Sequence, residues 1–356
     1  MDLLEEMKDV FELATGATAF VNELLKIKNT KNKKNQNDSG YYSKLAASGD
    51  SSKLAASGDS SQLAASGDSS QLAASGYYSK LAASGDSSKL AASGDSSKLA
   101  ASGYYSQLAA SGYYSQLAAS GDYSKLAASG DSSQLAASGD SSQLVASGYY
   151  SKLEITGKNS VGAAIGFKSI AKGIKDTWLT LAEYKQDKNN NLVVDYVKSE
   201  QIDGKKLKEN TFYTLYNHEF TEVQIIDGVK TIILNRKKNV IKGLFLEDLK
   251  PCYVVGKDGV YSHGKTLKEA KDSLIYKISN RDTSMYKDYT LDTVISFEDA
   301  IKMYRVITGA CEAGTRNFIE NTLKVKKKKY TVSECIELTE GQYGSDKFKE
   351  FFNSLM

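Results

Sequence analysis

The chain has 356 residues, and its 46 basic side chains nearly balance 43 acidic ones; a net charge of +3 singles out neither nucleic acid nor an acidic surface as its bulk partner. Three widely spaced cysteines, Cys252, Cys311 and Cys335, make neither a disulfide framework nor a zinc motif and suit a reducing compartment. No run of 18 apolar residues is present, and the acidic opening Met-Asp-Leu-Leu-Glu-Glu is unlike a signal peptide, so a cytoplasmic location with no membrane partner is expected.

Residues 1–36 are read as a helical segment and a linker. Leu3, Leu4, Met7, Val10, Phe11 and Ala14 keep a three-four spacing, which Phe20, Val21, Leu24 and Leu25 resume. One apolar face with nothing nearby to cover it points to self-association or to a cap. The Lys/Asn-rich stretch Lys26–Asn37 follows as a polar linker.

Residues 37–175 repeat one nonapeptide, Ser-Gly-Asp-Ser-Ser-Lys-Leu-Ala-Ala, in which Tyr-Tyr can replace Asp-Ser and Gln can replace Lys. Thirteen good copies run from Ser39 to Ile155, and two worn ones follow to Gly173. A helix would turn the leucine by about half a circle per repeat, and a straight strand would flip it, because nine is odd. A wound strand with a turn at each Ser-Gly keeps every leucine inside. Two copies then make a coil of about 18 residues. On a strand spacing of about 4.8 Å, the array spans roughly 35 Å. Leucine and alanine are expected inside, with serine and Lys/Gln facing water. Aspartate stands four residues before leucine, where a calcium-binding nonapeptide needs it two before, so no calcium roll and no cofactor are expected.

Tyrosine pairs sit in the first, fifth, eighth, ninth and thirteenth copies, with a lone Tyr123 in the tenth. Tyr104/Tyr105 of the eighth falls outside the evenly spaced series of the first, fifth, ninth and thirteenth, at Tyr41/Tyr42, Tyr77/Tyr78, Tyr113/Tyr114 and Tyr149/Tyr150. With two copies per coil the pairs of that series fall on one side, every second coil, roughly 9–10 Å apart. Exposed aromatic rows mark contact surfaces. The competing reading is that they shield the turns. The last units read Asn-Ser-Val-Gly-Ala-Ala-Ile-Gly-Phe-Lys-Ser-Ile-Ala-Lys-Gly over Asn159–Gly173. This resembles the head repeats of trimeric autotransporter adhesins, which implies a β-roll and a trimer; adhesion is not carried over, since no stalk or anchor accompanies it.

Residues 176–248 are read as a small antiparallel β-unit that covers the last coil. Its strands are expected at Thr177–Tyr184, Leu192–Val197, Phe212–Tyr216, Glu222–Ile226 and Thr231–Leu234, with a turn at Asp227-Gly228. Trp178 is expected in the core. Residues 249–356 are read as an α+β domain, with a hairpin at Cys252–His263 and helices after Gly264, Ser296, Thr308-Gly309, Thr331 and Ser345. Thr266/Glu269 and Thr331/Glu334 carry the spacing of capping boxes. The fold class is thus mainly β: a nonapeptide-repeat β-solenoid flanked by an N-terminal helix and a C-terminal α+β domain.

Chemistry-bearing residues are few. His263 and Cys311 make a conceivable Cys–His pair that no spacing rule supports, and Cys311 in Ala-Cys-Glu-Ala reads as a buried small residue. No catalytic residue and no metal ligand is assigned, and the chain is not expected to be an enzyme. His218, among Asn and Glu, reads as a solvated turn residue. His263, Arg305 and Arg316 are candidate partner contacts. So are Lys326, Lys327, Lys328 and Lys329 of the basic run Lys324–Lys329, which suit nucleic acid or an acidic protein, although such runs are commonly solvated loops.

The wording Val-Tyr-Ser-His-Gly-Lys-Thr-Leu-Lys-Glu-Ala at 260–270, Tyr-Arg-Val-Ile-Thr-Gly-Ala-Cys-Glu-Ala-Gly-Thr-Arg-Asn-Phe at 304–318 and Leu-Thr-Glu-Gly-Gln-Tyr-Gly at 338–344 resembles the C-terminal domain of uncharacterised phage and prophage proteins of Gram-positive bacteria. The resemblance implies a setting and no reaction. It leads us to expect a binding protein in the host cytoplasm whose partner is a host protein or nucleoprotein complex, with inhibition of a defence complex as one form of that role. A homo-oligomer through the N-terminal helix or the solenoid is expected as well. An adhesin or virion part, and a nucleic-acid binder acting through Lys324–Lys329, are the alternatives.

Overall fold

A computed structural model describes residues 35–278, 281–323 and 326–354. The expected N-terminal helix lies outside the described residues. Contacts divide the chain between Glu222 and Val223, and the two units are taken in turn.

The first unit is a regular β-solenoid. Each repeat contributes one strand, of four residues in all but the last, and alternate strands join two parallel sheets. Leu117 pairs with Leu99 and Leu135, and Leu126 with Leu108 and Leu144, so one coil is 18 residues, or two repeats. The array begins before its first full repeat. Asn35–Asp38, expected as linker, is a strand paired with Lys53–Ala56.

Each position of the nonapeptide has its own task. Leucine and the second alanine point inward and form one continuous core. Lys or Gln opens the strand and points outward. The glycine permits coil-to-coil contact. A β-carbon on Gly112 would lie 2.3 Å from the Gly94 carbonyl oxygen, and the same clash recurs along the column. The second residue of the Asp-Ser or Tyr-Tyr pair is left-handed throughout, from Ser51 at φ 58° to Tyr150 at φ 58°. The serine that follows was expected in water. It is instead buried from Ser52 to Ser151, because its hydroxyl donates to the glycine carbonyl three residues earlier, as in Ser70 to Gly67 at 2.7 Å. That bond satisfies a polar group the turn would otherwise leave inside without a partner.

The coils are also tied at their corners. The backbone N–H of Ser51 donates to Asp68 O of the next coil at 2.7 Å, and Tyr78 N–H to Asp95 O at 2.9 Å. Aspartate side chains reach one coil onward too: the Asp59 carboxylate accepts from Tyr77 N–H at 2.9 Å, and Asp86 accepts from Tyr104 N–H at 2.8 Å.

Further strands follow the last coil. Trp178–Gln186 adds in parallel to Val161–Ala164 and carries Leu192–Gln201 as its antiparallel hairpin partner. Phe212–Tyr216 meets Ile170–Lys172 antiparallel at Tyr213 and Ala171. Leu179 and Leu181 take the inward positions of the first of these strands, so period-two alternation turns Trp178 outward, 47% exposed and outside the core where it was expected.

In the second unit, Val223–Ile226, Val229–Lys237, Val240–Phe245, Pro251–Lys257 and Val260–Gly264 make an antiparallel meander. Val240–Phe245 was not expected as a strand; its Lys242 and Gly243 interrupt the apolar pattern. The helix Leu267–Ile278 packs Ala270 and Leu274 on Val255. Helices Phe297–Thr308, Val332–Leu338 and Ser345–Asn353 then surround a core of Met303, Ile307, Tyr330, Val332, Phe348 and Phe352, and the short helix Glu312–Asn317 follows the first of them in the chain. Their boundaries follow the expected signals. Ser296 caps the first of them, Gly309 ends it in a left-handed turn at φ 82°, and Thr331 with Glu334 forms a full capping box.

Candidate functional site

Two places concentrate unusual side chains: a corner of the solenoid and a buried cluster in the second unit.

The corner that leads into Lys44–Ala47, Lys80–Ala83, Gln116–Ala119 and Lys152–Ile155 carries four of the five tyrosine pairs. Along it the first turn position reads Tyr41, Asp59, Tyr77, Asp95, Tyr113, Asp131, Tyr149. Tyr41, Tyr42, Tyr77, Tyr78, Tyr113 and Tyr114 are 52–76% exposed. Tyr149 and Tyr150 differ. Tyr149 packs edge-on against Phe167 and Tyr184, with ring centroids 5.8 and 6.1 Å away, and Tyr150 meets Phe167 at 6.0 Å. For that last pair, packing against the array itself describes the geometry. The opposite corner builds the same turns from Asp50, Asp68, Asp86, Asp122 and Asp140, with Tyr104, Tyr105 and Tyr123 interspersed and the last two stacked at 4.9 Å. The turn therefore does not require tyrosine.

The second place unites residues far apart in sequence. Asp227 sits at the Asp227-Gly228 hairpin turn, where both residues take positive φ (51° and 74°). His263 lies near the end of Val260–Gly264. Cys311 caps the short helix Glu312–Asn317, its sulfur accepting from Gly314 N–H at 3.3 Å. One donor atom from each of Asp227, His263 and Cys311 lies within 4.8 Å of the others. The Cys311 thiol donates to Asp227 Oδ2 at 3.3 Å. Lys277, in the last turn of its helix, sets its ammonium 2.5 Å from the same oxygen with a side chain only 1% exposed. It also donates to Tyr261 O at 2.9 Å and lies 3.6 Å from the Tyr343 ring centroid. His263 Nε2 is 3.2 Å from Thr231 Oγ1, and its Nδ1 has no hydrogen-bond partner among the described residues. A cavity of about 80 Å³, lined by Asp227, Cys311, Gly314, Tyr304 and Tyr343 among others, adjoins the cluster.

The electrostatics here oppose nucleophilic use. Burial, then the Asp227 carboxylate, push the Cys311 thiol up. Burial depresses His263 to about 4, more than Asp227 raises it. The thiol is thus protonated, the imidazole neutral, and neither is exposed, whereas an attacking cysteine needs a reachable thiolate. A group held neutral in this way contributes stability that is full above its unfolded value of 6.5 and is lost as pH falls toward about 4. In a proton NMR titration, one of the two histidine ring signals should therefore keep its neutral-form position from pH 8 down to about pH 5. Both signals moving together near pH 6.5 would contradict the burial of His263.

Other candidates are placed as follows. His263, expected as a partner contact, is buried and unavailable to a partner. Arg305 Nε donates to Ala310 O at 3.2 Å and its guanidinium lies over Tyr276, which holds the helix–helix turn. Arg316 pairs with Glu312 at 2.7 Å on the surface. Lys326, Lys327, Lys328 and Lys329 are exposed, with Lys327 paired to Glu334 at 2.7 Å. His218 is a left-handed turn residue at φ 63°, paired with Asp195 at 3.1 Å and stacked on Tyr196.

No family model, curated protein or solved structure matches this chain. The adhesin-like and phage-like wording noted above therefore rests on the quoted residues alone.

The sequence reading missed Asp227 and Lys277. Asp227 looked like an ordinary turn residue. Lys277 did carry a signal: with Ala270 and Leu274 it falls on the apolar face of its helix, where a lysine needs a buried partner.

Proposed function

We propose that this chain is a binding protein whose solenoid displays a tyrosine–aspartate edge to a protein partner. The carrying observation is that tyrosine alternates with aspartate on one corner, although the opposite corner makes the same turns largely without it. Six large rings are exposed there, half of them at left-handed backbone positions that favour no aromatic residue. Tyrosine is a preferred anchor of protein interfaces. A ring beside a carboxylate, repeated every second coil, offers an arginine side chain both a face to stack on and an acceptor to pair with. A partner bearing regularly spaced arginines is the chemistry that fits. The narrower role of disabling a host defence complex draws its support only from the phage-like wording of 260–270, 304–318 and 338–344.

The test uses the repeat's own alternative. Tyr41, Tyr77 and Tyr113 are changed to Asp, and Tyr42, Tyr78 and Tyr114 to Ser. The coil should survive, seen as an unchanged far-ultraviolet circular dichroism spectrum. In crosslinking followed by mass spectrometry, the partner captured through this edge by the unaltered chain should be lost, with affinity at least 10-fold weaker. An identical set of crosslinks at the same strength would remove the tyrosine edge from consideration.

A further inference from the structure

We infer that Asp227, His263 and Cys311 form a binding site for a divalent transition metal of the zinc class. The site lies in the second unit and is independent of the tyrosine edge. The three residues supply one oxygen, one nitrogen and one sulfur donor, a set that soft-to-borderline metals accept and that magnesium or calcium would not select. The Cys311 Sγ to Asp227 Oδ2 separation, 3.3 Å, is close to the edge of about 3.5 Å between sulfur and oxygen ligands of a tetrahedral zinc ion. All three donor atoms fall within 4.8 Å of one another, so closing the set takes about 1 Å of side-chain movement.

A second observation points to a ligand. His263 is 1% exposed, yet its Nδ1 has no hydrogen-bond partner among the described residues. A buried ring nitrogen left in this way keeps its full desolvation penalty unless something occupies it. The other ring nitrogen faces Thr231 Oγ1 at 3.2 Å, the kind of bond that fixes the ring of a ligating histidine. The adjoining cavity of about 80 Å³ has room for a water as fourth ligand.

Lys277 is the apparent obstacle, since its ammonium rests on Asp227. It also supplies the explanation of how the carboxylate is held without a metal: one positive charge neutralises it. Two of the three lysine contacts, Tyr261 O and the Tyr343 ring, do not involve Asp227 and remain when the carboxylate turns to the ion. Binding breaks the Cys311 S–H bond, forms a metal–sulfur bond and releases the proton to solvent, with no change of oxidation state. The ion would join a hairpin turn, a strand end and a helix start, which is the work of a structural clip.

The test adds cobalt(II) to the full-length chain after dialysis against chelator. An equimolar amount should give an intense near-ultraviolet thiolate-to-cobalt band together with the visible bands of four-coordinate cobalt. Cys311→Ser should abolish the thiolate band, whereas Cys252→Ser and Cys335→Ser should keep it. X-ray absorption at the zinc edge on the unaltered, zinc-loaded chain decides independently of how the variants fold. One sulfur at about 2.3 Å is expected. Absence of that sulfur, or a thiolate band that persists in Cys311→Ser, overturns the assignment.

Discussion

Gly112→Ala is expected to unfold the middle of the solenoid. The added carbon would stand 2.3 Å from the Gly94 carbonyl oxygen and 2.4 Å from its carbon, and both are backbone atoms. No rotamer change relieves such an overlap; the two coils must part. Parting them strains the Ser96 N–H to Tyr113 O bond at 2.7 Å and the Tyr113 N–H to Asp95 Oδ1 bond at 2.8 Å. The cost should be about 3 kcal/mol or more, at the upper end of overpacking penalties. Gly40→Ala is the control. Its added carbon would come no nearer than 3.4 Å to Asp38 Oδ1, so the loss should stay within about 1 kcal/mol. Urea unfolding followed by circular dichroism compares them. Equal midpoints for the two variants would show that coil contact at the glycine column does not limit stability.

Glu154→Gln should be comparably damaging. Glu154 occupies the slot of the first alanine in the thirteenth copy, and it lies 2.9 Å from both Lys152 and Lys172. The Lys172 side chain is 2% exposed, with its ammonium 4.6 Å from the Phe212 ring centroid. Removing the carboxylate charge leaves a buried cation without its counter-ion, a loss of about 3–5 kcal/mol. Burial pushes the Glu154 pKa up, but Lys152 and Lys172 outweigh it and hold the carboxyl below its ordinary value. Its contribution is thus present above the unfolded value near 4.5 and fades as pH falls through the lower folded one. Glu154→Gln should accordingly flatten the acid limb of the stability profile. Combining Glu154→Leu with Lys152→Met and Lys172→Met should recover most of the loss, since apolar side chains can replace a buried ionic triad. A full-strength acid limb in Glu154→Gln would assign it to other carboxylates.

How far the sequence could be read depended on whether a feature was local. The solenoid was legible because Leu45 and its successors fix a period that only a wound strand satisfies. The helix ends at Ser296, Gly309 and Thr331 were legible because caps act within one turn of chain. The burial of Ser52 and its equivalents was not, because a serine looks the same in water and bonded to a carbonyl three residues back. Trp178 was misplaced for a related reason: hydrophobicity alone does not say which side of a strand a residue takes. The cluster of Asp227, His263, Lys277 and Cys311 was only half visible. His263 and Cys311 could be singled out by type, but their proximity depends on how a meander and two helices pack, and no spacing rule encodes that.

Because one coil is two repeats, the array has a parity. Deleting or duplicating a pair of nonapeptides shortens or lengthens the stack and leaves every later turn on its own corner. Gaining or losing a single nonapeptide moves all later turns across to the other one, splitting the tyrosine column into two halves that no single flat partner can touch. Variants that differ by eighteen residues would be interchangeable in phase, while those that differ by nine would carry the same ingredients on exchanged corners beyond the change.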